Sequence, residues 1–97
     1  MAFYVYMVSN KPGGVIYTGH TDDIERRSWE HRDHILRGFA SKYNCTRLVW
    51  YELHETRESA FMRERRIKKW NRAWKMRLIE ERNPEWDDLF LSLFGLP

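Results

Sequence analysis

Asn10-Lys11-Pro12-Gly13-Gly14 is a cluster of turn-forming residues set between two short runs rich in Val, Ile, Tyr and Phe, at 3–8 and 15–19. Proline presets φ for a turn and glycine reaches positive φ without strain, so the chain is expected to fold back on itself here. The β-branched and aromatic residues on either side suit a pleated surface. An antiparallel hairpin follows, and it fixes how the rest of the chain must pack. Tyr6 and Tyr17, eleven residues apart, then present their hydroxyls from adjacent strands toward one point.

Further along, Thr21 or Asp22 is placed to cap a helix over residues 23–36, with acids in its first turn and Gly38 near its stop. Residues 48–51, Leu-Val-Trp-Tyr, form the best third strand. Thr56 caps a second helix, supported by Glu58. Its spacing runs on to about Arg82, with a break near residues 71–74, because an unbroken helix of twenty-six residues is too long for this domain. Asn83-Pro84-Glu85 has the order cap, first-turn proline and first-turn acid, and predicts a last helix to about Leu93. There Trp86, Leu89, Phe90, Leu93 and Phe94 make one apolar stripe, which either packs on the chain's own sheet or offers a dimer or partner surface. With 97 residues the expectation is one domain of α+β class, a small three-stranded sheet flanked by helices, with residues 84–97 as a helical extension packed on it.

The single cysteine, Cys45, excludes an internal disulfide and a cysteine-rich zinc site. No export signal is visible and no stretch approaches the roughly 18 apolar residues of a membrane span, so a cytoplasmic protein is expected. The net charge of +3 is less informative than its distribution. Residues 63–77 hold eight Lys or Arg and one acid, whereas residues 78–97 hold one base and five acids. A concentrated basic segment in an otherwise balanced domain is either a solvated helix face or the footprint of polyanion contact.

Candidate chemical residues gather around the hairpin. Arg27 and His31 lie four apart, on one face of the first predicted helix. Glu64 shares a helical stripe with Ala60, Ile67, Trp74 and Leu78, where a carboxylate is costly unless something satisfies it. That something is either a structural arginine or a bound cation. Arg27 has its own ordinary reading, a pair with Asp23 or Glu30, and His31 that of a packed histidine. Gly19 either avoids crowding an approaching phosphate or helix, or ends the strand at positive φ.

Tyr4-Val5-Tyr6 and Tyr17-Thr18-Gly19, followed by Arg27, His31 and Glu64 at these spacings, resemble the GIY-YIG nuclease family, over about residues 3–86. The likeness is greatest to its small stand-alone bacterial members. It implies a metal-dependent endonuclease that hydrolyses DNA phosphodiesters by a one-metal mechanism, in DNA repair or processing. Glu64 would hold the divalent cation, Mg2+ first and Mn2+ second; magnesium suits a single carboxylate because it keeps several waters. Of Tyr6 and Tyr17, one would take the proton of the attacking water and the other orient water or phosphate, with Tyr6 favoured as the base. Arg27 would hold phosphate oxygens, and His31 would bond phosphate, polarise a tyrosine or shuttle a proton. Gly19, His20, Arg26, Lys68, Lys69, Asn71 and Arg72 are the expected substrate contacts. Met76 stands where many members carry an asparagine, and Asn71 either replaces it or caps a helix. The competing class is a nucleic-acid-binding module with little or no catalysis on the same scaffold.

Overall fold

The computed structural model describes residues 2–35 and 38–95. Its centre is a three-stranded antiparallel sheet in the order β2-β1-β3, with β1 Phe3–Ser9, β2 Ile16–Thr21 and β3 Arg47–His54. The hairpin forms where the turn cluster placed it. Gly13 takes φ +68°, Gly14 N–H donates to Lys11 O (2.9 Å), and Asn10 Oδ1 accepts from Val15 N–H (2.9 Å). Pairing runs from Ser9 opposite Ile16 to Tyr4 opposite Thr21, so β2 starts one residue later than expected and continues past Gly19. β1 is buried without interruption from Val5 to Ser9, as a strand with neighbours on both edges and both faces should be.

The strand alternation separates two cores. Val5 and Met7 pack with Val49, Trp50, Ala60, Ile67 and Ile79 on one face, and Tyr6 and Val8 with Ile24, Ala40 and Leu48 on the other. The first face is covered by α3 Arg57–Lys68 and α4 Arg72–Arg82, the second by α1 Ile24–Arg32 and α2 Phe39–Lys42. Thr56 caps α3 by accepting from Ser59 N–H, as expected. The break before α4 falls at Asn71, whose Oδ1 accepts from Trp74 N–H (2.9 Å). Trp74 therefore belongs to a second helix and is 51% exposed, off the stripe that Ala60, Glu64 and Ile67 form.

The helices on the second face differ from the sequence expectation. The cap of α1 is Asp23, because Thr21 is still in β2 and its Oγ1 is taken by Asp23 N–H (3.1 Å). α1 ends at Arg32 with His34 at φ +56°; Leu36, the expected end, lies outside the described residues. The short helix α2 was not expected at all.

The segment after α4 is the largest correction: no helix begins at Pro84. Asn83 is instead the C-cap of α4, and its amide ties the following loop down, donating to Val49 O (3.0 Å) and Asp87 O (2.9 Å) and accepting from Asp87 N–H (3.0 Å). Trp86 sits at φ +56°, outside helical geometry, with its ring buried in the first core. Only Leu91–Phe94 forms a 3-10 turn. The loop covers the β3 edge, where Leu89 N–H donates to Leu48 O (2.8 Å). Val49 is the extra residue of a bulge opposite Met7 and Val8, which is why its carbonyl is free for Asn83. Trp86, Leu89 and Leu93 thus pack on the chain's own sheet.

Candidate active site

Tyr6 is central. Its position in β1 directs the ring to the α1 face, opposite Gly19 of β2. A Cβ at Gly19 would lie 2.6 Å from the Tyr6 hydroxyl and 3.1 Å from the Tyr17 ring, so only glycine leaves room for both tyrosines. Neither reading of Gly19 from sequence anticipated this: the strand continues through it, and the crowding group is Tyr6 itself. The Tyr6 and Tyr17 ring centres are 6.5 Å apart, and His31 lies 5.4 Å from the first and 5.7 Å from the second.

The buried Tyr6 hydroxyl and His31 Nε2 share a hydrogen bond of 2.9 Å, in which the hydroxyl donates when the imidazole carries its proton on Nδ1. Burial, with a contribution from Tyr17, pushes the Tyr6 phenol above its ordinary value, while Arg27 opposes the rise. Burial and then the Arg27 charge hold His31 down at about 4. Both groups are neutral at pH 7. Arg27 Nε lies 3.2 Å from Glu30 Oε1, the intrahelical pairing weighed from sequence, yet that nitrogen makes no well-directed hydrogen bond. The contact is an ion pair that leaves a buried donor available beside Tyr6.

Glu64 and His20 stand on the other side of the β2 edge strand. Glu64 is buried on α3, between Ala60 and Ile67, and Oε1 accepts from His20 Nδ1 at 2.5 Å. Lys68, one turn on, places Nζ 2.9 Å from Oε2 and 5.5 Å from the Tyr17 ring centre. Burial raises the Glu64 carboxyl, but hydrogen bonds and charge from His20 and Lys68 outweigh it and keep the group below its ordinary value. Its partners are thus a histidine and a lysine rather than the arginines considered from sequence. Lys68 joins the two halves, and Glu64 in turn contributes to the rise at Tyr6. The constellation wraps around one exposed sheet edge.

The remaining expected contacts divide. Arg26 is exposed on α1 with only its backbone engaged, by Asp23. Lys69 is exposed at the C-cap of α3. Asn71 uses its Oδ1 to cap α4, which resolves the alternative left open for it. Arg72 donates from one guanidinium nitrogen to Gly13 O (2.5 Å) and Gly14 O (2.7 Å), which anchors the hairpin turn to α4. Met76 packs against the first core. Sequence reasoning missed the His20–Glu64 bond, which carries no local signal, and the Glu64–Lys68 bond, which the one-turn spacing did offer.

A single carboxylate held ionised is a donor set that fits a hard cation retaining most of its waters. Among the described residues no group of three or more His, Cys, Asp or Glu forms a full protein cage. Lys68 occupies Oε2, and its side chain is 46% exposed.

Comparison with known proteins agrees with this arrangement. The GIY-YIG catalytic domain matches residues 2–77. A UPF0213 protein of Staphylococcus aureus strain Mu3 is 39% identical over 83 residues, spanning 81% of this chain and 95% of that protein; the same figures hold for one from strain Mu50. The solution NMR structure of a UPF0213 protein from Bacillus halodurans superposes with a TM-score of 0.56 at 27% identity, covering 91% of this chain and 93% of that one. Family match and architecture converge, and the chain belongs to the GIY-YIG family of nuclease domains.

Proposed function

We propose that the protein is a divalent-metal-dependent endonuclease that hydrolyses DNA phosphodiesters at the β2 edge, in the repair or processing of DNA. The observation that carries this is the buried Tyr6–His31 hydrogen bond beside Arg27, with an ionised Glu64 across the strand.

Tyr6 is not a standing phenolate, since its pKa is raised. Its oxygen acts as a base only if its own proton leaves as the water's proton arrives, and His31 Nε2 is the acceptor already in place. The attacking water gives a proton to Tyr6, Tyr6 gives its own to His31, and the hydroxide forms the new P–O bond as the bond to the leaving oxygen breaks. The leaving oxygen is protonated by solvent. Arg27 favours the transient phenolate and offers a fork to the phosphate oxygens. Tyr17, on the neighbouring strand with its ring 6.5 Å from that of Tyr6, orients the water or the phosphate. GIY-YIG nucleases generally depend on a divalent metal. Glu64 would hold Mg2+ (or Mn2+), which would supply charge relief to the phosphate and the leaving alkoxide.

The test is cleavage of labelled supercoiled, linear, branched and single-stranded DNA with magnesium, manganese or chelator, beside Glu64→Ala. Metal-dependent product that the folded variant no longer makes is the expected result. A variant that cuts at the wild-type rate would remove Glu64 from the mechanism. Absence of product under every metal, with salt-sensitive binding retained, would leave a nucleic-acid-binding module on this scaffold.

A further inference from the structure

α2 buries only Ala40, yet carries two large aromatic rings on its exposed side. Phe39 is 48% and Tyr43 42% exposed, and their ring centres are 4.7 Å apart. Phe39 is also stacked on Tyr17, at 6.3 Å with 27° between planes. The catalytic tyrosine is therefore the inner member of a continuous row, Tyr17–Phe39–Tyr43, that runs outward over the surface. Among the described residues, the buried core cluster that α2 joins contains Ala40 but neither outer ring.

Charge accompanies the row. Lys68 Nζ stands over Tyr17 and Lys42 Nζ over Tyr43, each at 5.5 Å. A groove of about 210 Å³ beside Phe39 is lined by Val15, Ile16, Arg72 and Lys75. No acid lines it. Exposed aromatic faces interleaved with lysines and arginine complement a chain of bases and phosphates, not an acidic or purely apolar partner.

We propose that Phe39 and Tyr43 form a stacking subsite for unpaired bases next to the scissile phosphate, so that DNA with a single-stranded stretch is preferred over duplex. The identity of the occupant rests on the nuclease reading above. Bases in a duplex are stacked on each other and offer no free face, whereas an unpaired base offers two. A strand whose scissile phosphate lies between Tyr17 and Arg27 continues over Phe39, with its phosphates along Lys42 and Lys75. Stacking reads no sequence, so the preference is for strand state rather than for particular bases.

Binding in chelator separates this from catalysis. Fluorescence anisotropy would give Kd for a labelled single strand, the matching duplex and an RNA of the same sequence, with wild type, Phe39→Leu, Phe39→Trp and Tyr43→Ala. A single strand carrying 2-aminopurine reports stacking directly by quenching. Phe39→Leu keeps apolar bulk and removes the ring; about 10-fold weaker single-strand binding is expected. Duplex binding should change by under twofold, quenching should disappear, and Phe39→Trp should restore both readouts. Equal affinities across all variants, equal loss for duplex, or tighter binding of RNA than DNA would each overturn the proposal. Loss of cleavage alone would not, because neither affinity nor quenching depends on it.

Discussion

His31 shows how one residue's surroundings decide its chemistry. The imidazole is 5% exposed with Arg27 one turn behind, and burial and then that charge favour its neutral form. Its pKa falls from 6.5 in an open chain to about 4 in the fold. The unfolded chain therefore binds a proton more readily, so this group's stabilisation is complete above pH 6.5 and is lost as pH falls toward 4. The loss amounts to roughly 3 kcal/mol across that window. Replacing Arg27 with Met removes the second cause and leaves the first. Proton NMR titration of the ring should then find the midpoint moved up from about 4 but still short of 6.5. A midpoint that stays in place would mean that Arg27 does not act on His31. Wild-type denaturation across the same pH range should lose more stability than a His31→Asn variant.

At the scale of elements, the legible parts were those whose signals are local. Turn residues 10–14 gave the hairpin, Thr56 gave the start of α3, and Asn71 marked the break before α4. The order Tyr6, Tyr17, Arg27, His31 and Glu64 placed the site on elements that do meet at one edge. What escaped was set by tertiary competition. Thr21 is as good a cap as Asp23, but β1 claims it for the sheet. Asn83-Pro84-Glu85 has the form of a helix start, but the Asn83 amide is worth more on the bulge carbonyl of Val49. No sequence window contains that carbonyl. Asn83→Ala should therefore cost more than a surface cap. It removes two donated bonds and one accepted bond and leaves the buried Val49 carbonyl unpaired, a loss of about 2–4 kcal/mol. Urea denaturation measures it, and Asn83→Asp, which keeps only the acceptor, should recover little. A cost below about 1 kcal/mol would show that the segment after α4 holds the β3 edge without Asn83.

Across the whole molecule, a basic pair of helices is followed by an acidic segment. The site sits on the β2 edge beneath α3, whereas the acidic segment after α4 is fastened along β3, with Asp88 Oδ1 accepting from Leu48 N–H. Several cations of α3 and α4 already have partners: Arg63 on Glu52, Lys68 on Glu64, Arg72 on the hairpin turn. Arg65, Arg66, Lys69, Lys75 and Arg77 take part in no ion pair among the described residues. A polyanion thus meets unpaired cations on α3 and α4, whose charge draws it in before contact. If those five cations each neutralise one phosphate of a single strand, log affinity should fall with log salt at a slope of about −3.5. Replacing Arg66 with Ala should reduce the slope by about 0.7 without changing preference among sequences, because phosphate contacts carry no base information. Titrations of a labelled single strand between 50 and 300 mM salt (roughly the range over which counterion release is read) supply both values. A slope near zero would place the binding energy in stacking alone and remove the basic helices from the interface. A slope unaltered by Arg66→Ala would remove that residue while leaving the edge as a whole in contact.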